Sequence, residues 1–122
     1  MMLVFRAYLE LLFLEIDLER KDFTRLYNKV RTCSIRIKRS DCTLEELCTA
    51  IDKACIWYPK VVLCLQRSAA TARFLKKHGI PAQLVIGAQQ FPFRAHAWVE
   101  LDGRVVNDKP YMAEMYAVLD RC

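Results

Sequence analysis

At 122 residues with 54% hydrophobic content, the chain suits one domain over 1–122, a helical part over 1–60 and a helix-and-sheet part over 61–122, large enough to bury a core without staples. The net charge of +5 and pI near 9.0 raise nucleic acid as a partner. The basic residues are nevertheless scattered over 20–39 and 67–77 without an interleaved aromatic motif, so a solvated basic face is expected instead. No apolar run reaches the roughly 18 residues of a membrane span, the stretch 1–16 is broken by Arg6, Glu10 and Glu15, and no signal-peptide pattern opens the chain; a cytoplasmic protein without a membrane span is expected.

Leu3, Ala7, Leu11, Leu14 and Leu18 recur at helical spacing. Val4, Phe5, Leu9, Leu12, Phe13 and Ile16 widen the apolar arc, so this helix is expected to be covered on most sides. Asp22 is positioned to cap a second helix over 23–31, and the Ile35–Lys38 alternation after it is too short to classify. Thr43-Leu44-Glu45-Glu46 is a capping box opening a third helix to about Tyr58, with Leu44, Leu47, Cys48, Ile51, Ala54, Cys55 and Tyr58 as its buried stripe and Pro59 as its stop. A fourth helix spans Cys64 to Lys77, basic in its last turn, with Gly79 at the left-handed stop.

Strand character follows over 80–87, then a Gln-Gln-Phe-Pro-Phe loop, then a hairpin of 94–101 and 104–108 around Asp102-Gly103. Tyr111 to Leu119 reads as a short helix covering the sheet. Helices first and strands after indicate an α+β fold with a small antiparallel sheet.

Six cysteines at 33, 42, 48, 55, 64 and 122 contain no C-x-x-C pair, which disfavours a structural zinc site, and in a reducing compartment they stay thiols. Cys48 and Cys55 lie on the third helix's apolar stripe, where a thiol packs as a small hydrophobe. Cys64 differs. It heads a helix, where unpaired amides and the helix dipole favour a thiolate, and a strand histidine, His96, follows in Arg94-Ala95-His96-Ala97-Trp98-Val99-Glu100. Cys42, just before the capping box, is the rival nucleophile without a matching base. Of the two histidines, His78 beside Gly79 is explained by helix capping, which leaves His96 as the general base.

The ordered set C-L-x-R-S at 64–68, G-I-P-A-x-L-V-I-G at 79–87, H-A-W-V-E-x-D-G at 96–103 and V-N-D at 106–108 resembles the lasso-peptide leader peptidases, the B2-type maturation proteins of the transglutaminase-like superfamily. The resemblance covers roughly residues 60 to 110 strongly and the helical half more loosely. It implies a papain-like, transglutaminase-like fold with Cys64 as nucleophile, His96 as general base and Asp108 as orienting carboxylate.

Strand parity leaves the third member open. A two-residue turn at Asp102-Gly103 would put Asn107 on the face of His96 and turn Asp108 away, whereas a longer loop or bulge would favour Asp108. The oxyanion would be held by the Cys64 amide and a second donor, for which Gln66 is the candidate. The resemblance further implies a cysteine endopeptidase acting without cofactor or metal on a lasso precursor's leader, with a separate leader-recognition protein (an RRE of the B1 type) as partner and the lasso cyclase as a further one. The alternatives are amine acyl transfer of the transglutaminase kind, or a non-catalytic scaffold that positions a precursor.

Overall fold

The computed structural model describes residues 2–90 and 92–122. Its elements run α1 (Met2–Glu19), α2 (Phe23–Arg31), α3 (Leu44–Trp57), α4 (Cys64–Lys77), β1 (Gln83–Gln89), β2 (Arg94–Leu101), β3 (Arg104–Val105), α5 (Met112–Met115) and β4 (Ala117–Arg121). The four strands form one sheet in the order β3-β2-β1-β4, every neighbouring pair antiparallel. The fold is α+β, as the order of helices and strands indicated.

Local chemistry accounts for most element ends. Asp22 accepts from the Arg25 amide at 3.1 Å and starts α2. Thr43 and Glu46 form the reciprocal capping box of α3. The end of α4 is a Schellman motif, with the Ile80 amide donating to the Leu75 carbonyl and Gly79, at φ +84°, donating to Lys76. That motif corrects the expected strand start, because Ile80 is spent on the helix end and Pro81 has no amide to give. Pairing therefore begins at Gln83.

The C-terminal segment also departs from expectation. Only Met112–Met115 is helical, and Ala117–Arg121 is an edge strand paired to β1 with a register shift at Ile86/Gly87. The apolar run Met115–Leu119 does not by itself distinguish a helix turn from a strand.

Helix α4 is the centre of the molecule. Ala69, Ala70 and Ala72 are fully or nearly fully buried and let α1, α3 and β2 approach closely, with Phe74 and Leu75 filling the space beyond them. Its polar residues are buried with partners. Arg73 donates to Glu10 at 2.8 Å and to the Lys29 carbonyl at 2.5 Å, and Lys76 donates to the Val30 and Cys122 carbonyls at 2.9 Å each. Burial holds the Lys76 ammonium below its ordinary range.

Helix α1 is covered on one side only, contrary to expectation. Ala7, Leu11 and Leu14 are fully buried, whereas Phe5, Leu9, Leu12, Phe13 and Ile16 remain about half exposed. The buried side carries two carboxylates that need cations: Glu10 meets Arg73 and Lys77, and Asp17 meets Lys29 at 2.7 Å and Arg25 at 3.3 Å. Lys29 and Arg73 also sit over the Phe13 ring. Among the described residues, no helix is long and apolar enough to cross a membrane.

Glu10 is 5% exposed and Arg73 8%. Removing one partner of such a pair leaves a desolvated charge, a loss of about 3–5 kcal/mol. Glu10→Ala is thus expected to lower the urea-unfolding free energy by about 3 kcal/mol with an unchanged m-value; a change under about 1 kcal/mol would mean that Lys77 and solvent leave Arg73 adequately paired.

Candidate active site

Cys64 is the first residue of α4. The preceding Leu63 is extended, at φ −84° and ψ 169°, and offers no side-chain cap. The Arg67 amide makes the first helical bond, to the Leu63 carbonyl, so the amides before it have no intrahelical acceptor. A helix start left open in this way presents N–H groups to an anion. Cys64 lines a pocket of about 100 Å³ together with Tyr27, Leu65, Ile86, Ala95, His96 and Ala97.

His96 lies on β2 opposite Gly87 of β1. Its Nε2 is 2.6 Å from Asp108 Oδ2, and Asp108 Oδ1 accepts from the Lys109 amide at 2.8 Å. The imidazole is stacked against Trp98, centroids 6.2 Å apart, and against Tyr116, 5.4 Å apart, and those two rings also meet each other at 6.0 Å, so the three form one aromatic cluster. A Cβ on Gly87 would stand 2.6 Å from Trp98 Cη2 and 2.8 Å from Tyr116 Cβ, so only glycine lets both rings close on the sheet beside the histidine. Trp98 is itself held: its indole N–H donates to Glu100 at 2.9 Å, and Glu100 accepts from Arg121 of β4 at 3.3 Å.

The turn at Asp102-Gly103 has two residues, both at positive φ (52° and 78°), with Glu100 facing Val105 and Leu101 facing Arg104. By parity alone this turn favours Asn107 beside His96, yet the structure puts Asp108 there. The ladder ends early. Val106 donates to the Val99 carbonyl at 2.9 Å, but its own carbonyl turns to the Cys48 thiol, and the Val99 amide is met by the Asn107 side-chain oxygen at 2.7 Å. Past that substitution the chain has left the sheet, so strand alternation no longer governs Asp108. Asn107 is consequently unavailable to His96: its amide nitrogen donates to Ser68 Oγ at 3.1 Å, and Ser68 donates to the Ala97 carbonyl at 3.1 Å.

The other sequence candidates lie elsewhere. Gln66 is buried and donates to the Leu11 carbonyl at 3.0 Å, which commits its amide to α1 rather than to an oxyanion beside Cys64. Cys42 packs against the main core and does not line the pocket of His96. Burial pushes the Cys48 thiol up to about 11 and the Cys55 thiol up as well, in keeping with packing roles. His78 is the C-cap of α4, with its Nδ1 2.8 Å from the Ser40 hydroxyl; burial, then Arg6 and Arg36, lower its basicity.

Sequence reasoning missed Tyr116, Gly87 and Tyr27. Tyr116 was obscured by the helical reading of its segment, and the close approach at Gly87 depends on two rings distant in sequence. Among the described residues there is no group of three or more His, Cys, Asp or Glu side chains arranged to hold a metal ion.

A helix-start cysteine sharing a pocket with a strand histidine, itself bonded to a carboxylate, on helices packed against a small antiparallel sheet, is the arrangement expected of a transglutaminase-like protein. The chain matches the Transglutaminase-like superfamily over residues 10–121 and belongs to it. It is also similar to the microcin J25-processing protein McjB of Escherichia coli, 45% identical over 56 residues that make up 46% of this chain and 27% of that protein. The chain therefore spans about a quarter of that relative's length. No solved structure matches it.

Burial raises the Asp108 carboxyl, but the His96 hydrogen bond and the Lys109 amide outweigh burial and hold it below the usual carboxylate range. A carboxyl that titrates lower when folded favours the folded state above about pH 4, its ordinary value, and loses that contribution as pH falls through its depressed folded value. Asp108→Asn is expected to be less stable than the parent at pH 7, with a gap that closes toward about pH 3. Equal gaps at both values, measured by chemical denaturation, would detach this carboxylate from the acid limb of stability.

Proposed function

We propose that this chain is a cysteine peptidase that removes the leader from a lasso-peptide precursor. The observation that carries the reading is the 2.6 Å contact between His96 and Asp108 on the wall of the pocket that Cys64 lines. Membership of the superfamily supports the reaction class, and the similarity to a protein named for processing microcin J25 supports the choice of substrate.

In this reading Asp108 holds Nε2–H of His96, which fixes the tautomer and leaves Nδ1 as the base. His96 takes the Cys64 proton, and the thiolate sulfur bonds to the scissile carbonyl carbon. The imidazolium protonates the amine as it leaves, and the acyl group stays on sulfur as a thioester. Water deprotonated by the same histidine then hydrolyses it, returning the thiol. With Gln66 committed to α1, the developing oxyanion falls to the open amides at the start of α4. Stacking on Trp98 and Tyr116 holds the His96 ring in the orientation from which Nε2 meets Asp108.

Cys64→Ala and His96→Ala are expected to reduce precursor cleavage to background while keeping the parent melting temperature, and their losses should not add. Asp108→Ala should lower turnover by about 10² or more, and His78→Ala should lose little. Product masses by mass spectrometry check both the cut and the chemistry, since a joined product in place of two peptides would move the reaction to amine acyl transfer. Full activity in Cys64→Ala would remove the assignment altogether.

The precursor's leader is captured, in this proposal, by a separate recognition protein, as the family resemblance implies. Its contribution is effective concentration, a gain of up to about 10²–10⁴ without a change in the active site. Adding the recognition protein should therefore appear chiefly as a drop in apparent KM, with kcat nearly constant. A rise in kcat at unchanged KM would instead indicate that the partner reshapes the site.

A further inference from the structure

A second, larger pocket adjoins the candidate site. Its volume is about 370 Å³, and its apolar lining is Leu18, Phe23, Val61, Leu63 and Leu65. Leu63 and Leu65 flank Cys64 in the chain, and Leu65 lines both pockets. The opposite wall is shared as well: Tyr27 lines the pocket of Cys64 and Phe23 lines the larger one, and the two lie one turn apart on α2, on the same helix face. The two pockets are thus neighbours that meet at Leu65, one holding Cys64 and the other an apolar recess.

That recess is open to water although it is built from large hydrophobic side chains. Val61, Leu63 and Phe23 are 85%, 70% and 45% exposed. Structural needs do not account for the exposure, since the main core already closes around Leu11, Leu47, Ile51 and Leu75 without these three. Glu15, Lys21 and Lys60 share the lining with these apolar side chains: Lys60 is paired with Glu15 and Glu19, while Lys21 has no ion pair among the described residues.

We infer that this recess is the subsite that reads the substrate, taking a bulky apolar side chain within two residues of the bond that Cys64 cuts. The inference rests on the peptidase reading above and specifies its selectivity. A recess of this size accommodates Leu, Ile, Met or Phe, and burying such a side chain on these walls is favourable. The unpaired cation Lys21 in the lining opposes a basic residue at the same place. A segment whose carbonyl is seated at Cys64 has its neighbouring side chains within one or two residue lengths of Leu65, about 3.5 Å per residue in an extended chain.

The test is digestion of a synthetic peptide library of varied sequence by the full chain, with the cut sites located by mass spectrometry. At one of the two positions on either side of the cut, Leu, Ile, Met and Phe together should exceed Lys and Arg by about tenfold or more, consistent with apolar pocket selectivities. Val61→Asp should reverse that preference toward Lys and Arg at the same position, and Phe23→Ala should weaken it. Both positions are exposed, so parent-like melting temperatures are expected and are measured alongside. Cutting without apolar selectivity at these positions, or selectivity unchanged in both variants, overturns the subsite while leaving the peptidase reading intact. Absence of cutting across the library, together with an intact precursor in the presence of its recognition protein, overturns the peptidase reading and the subsite with it.

Discussion

The side-chain amide of Asn107 is the joint on which the arrangement of the site depends. Its oxygen takes the Val99 amide that a further strand residue would otherwise take, and its nitrogen reaches Ser68 on α4. Ser68 closes the loop by donating to Ala97. One residue therefore ends β3, ties the helix that begins with Cys64 to the strand that bears His96, and releases Asp108 from the pleat. The distance from Cys64 to Ser68 is about one helical turn, so the registry set at Ser68 is passed rigidly to the thiol. An amide serves here where a carboxylate would not, because the two contacts demand one acceptor and one donor.

A second constraint works at the far side of α4. Burying a helix on several faces leaves no room for unpaired charge, and Arg73 and Lys76 are both inside. Glu10 and the carbonyls of Lys29, Val30 and Cys122 satisfy them. These partners come from α1, from α2 and from the residue after β4, so α4 gathers the chain's distant segments by polar contacts as well as by its alanines. The first helix accordingly carries Glu10 and Asp17 on its inward face beside Ala7, Leu11 and Leu14, while Phe5, Leu9, Leu12, Phe13 and Ile16 stay about half exposed.

Much of this was legible in the residues. The capping box, the Asp22 cap, the left-handed Gly79 and the extent of α4 follow from local chemistry, and each is found where the sequence put it. The proximity of His96 to Asp108 followed from family resemblance but not from strand parity, because parity assumes a ladder that continues and Asn107 stops it. Ala117–Arg121 was misread for a related reason: an edge strand of five residues has no period long enough to recognise, and its identity comes from pairing to β1. Gln66 was misplaced because helix position indicates which residues are near the start of α4, not which way a buried side chain is drawn by the Leu11 carbonyl.

The two margins of the sheet are guarded differently. On one side β3 pairs for only two residues before the chain turns away, too short a template for another strand. The other margin is β4, which is longer and carries the exposed Leu119. It is also irregular where its register shifts at Ile86/Gly87, and its charged residues are tethered, Asp120 to Arg31 and Arg121 to Glu100. An incoming strand would have to match a broken register and release those ion pairs. Resistance to edge-to-edge aggregation is thus built from the same segment that brings Tyr116 against His96, so colloidal behaviour and the integrity of the site are coupled through one short strand.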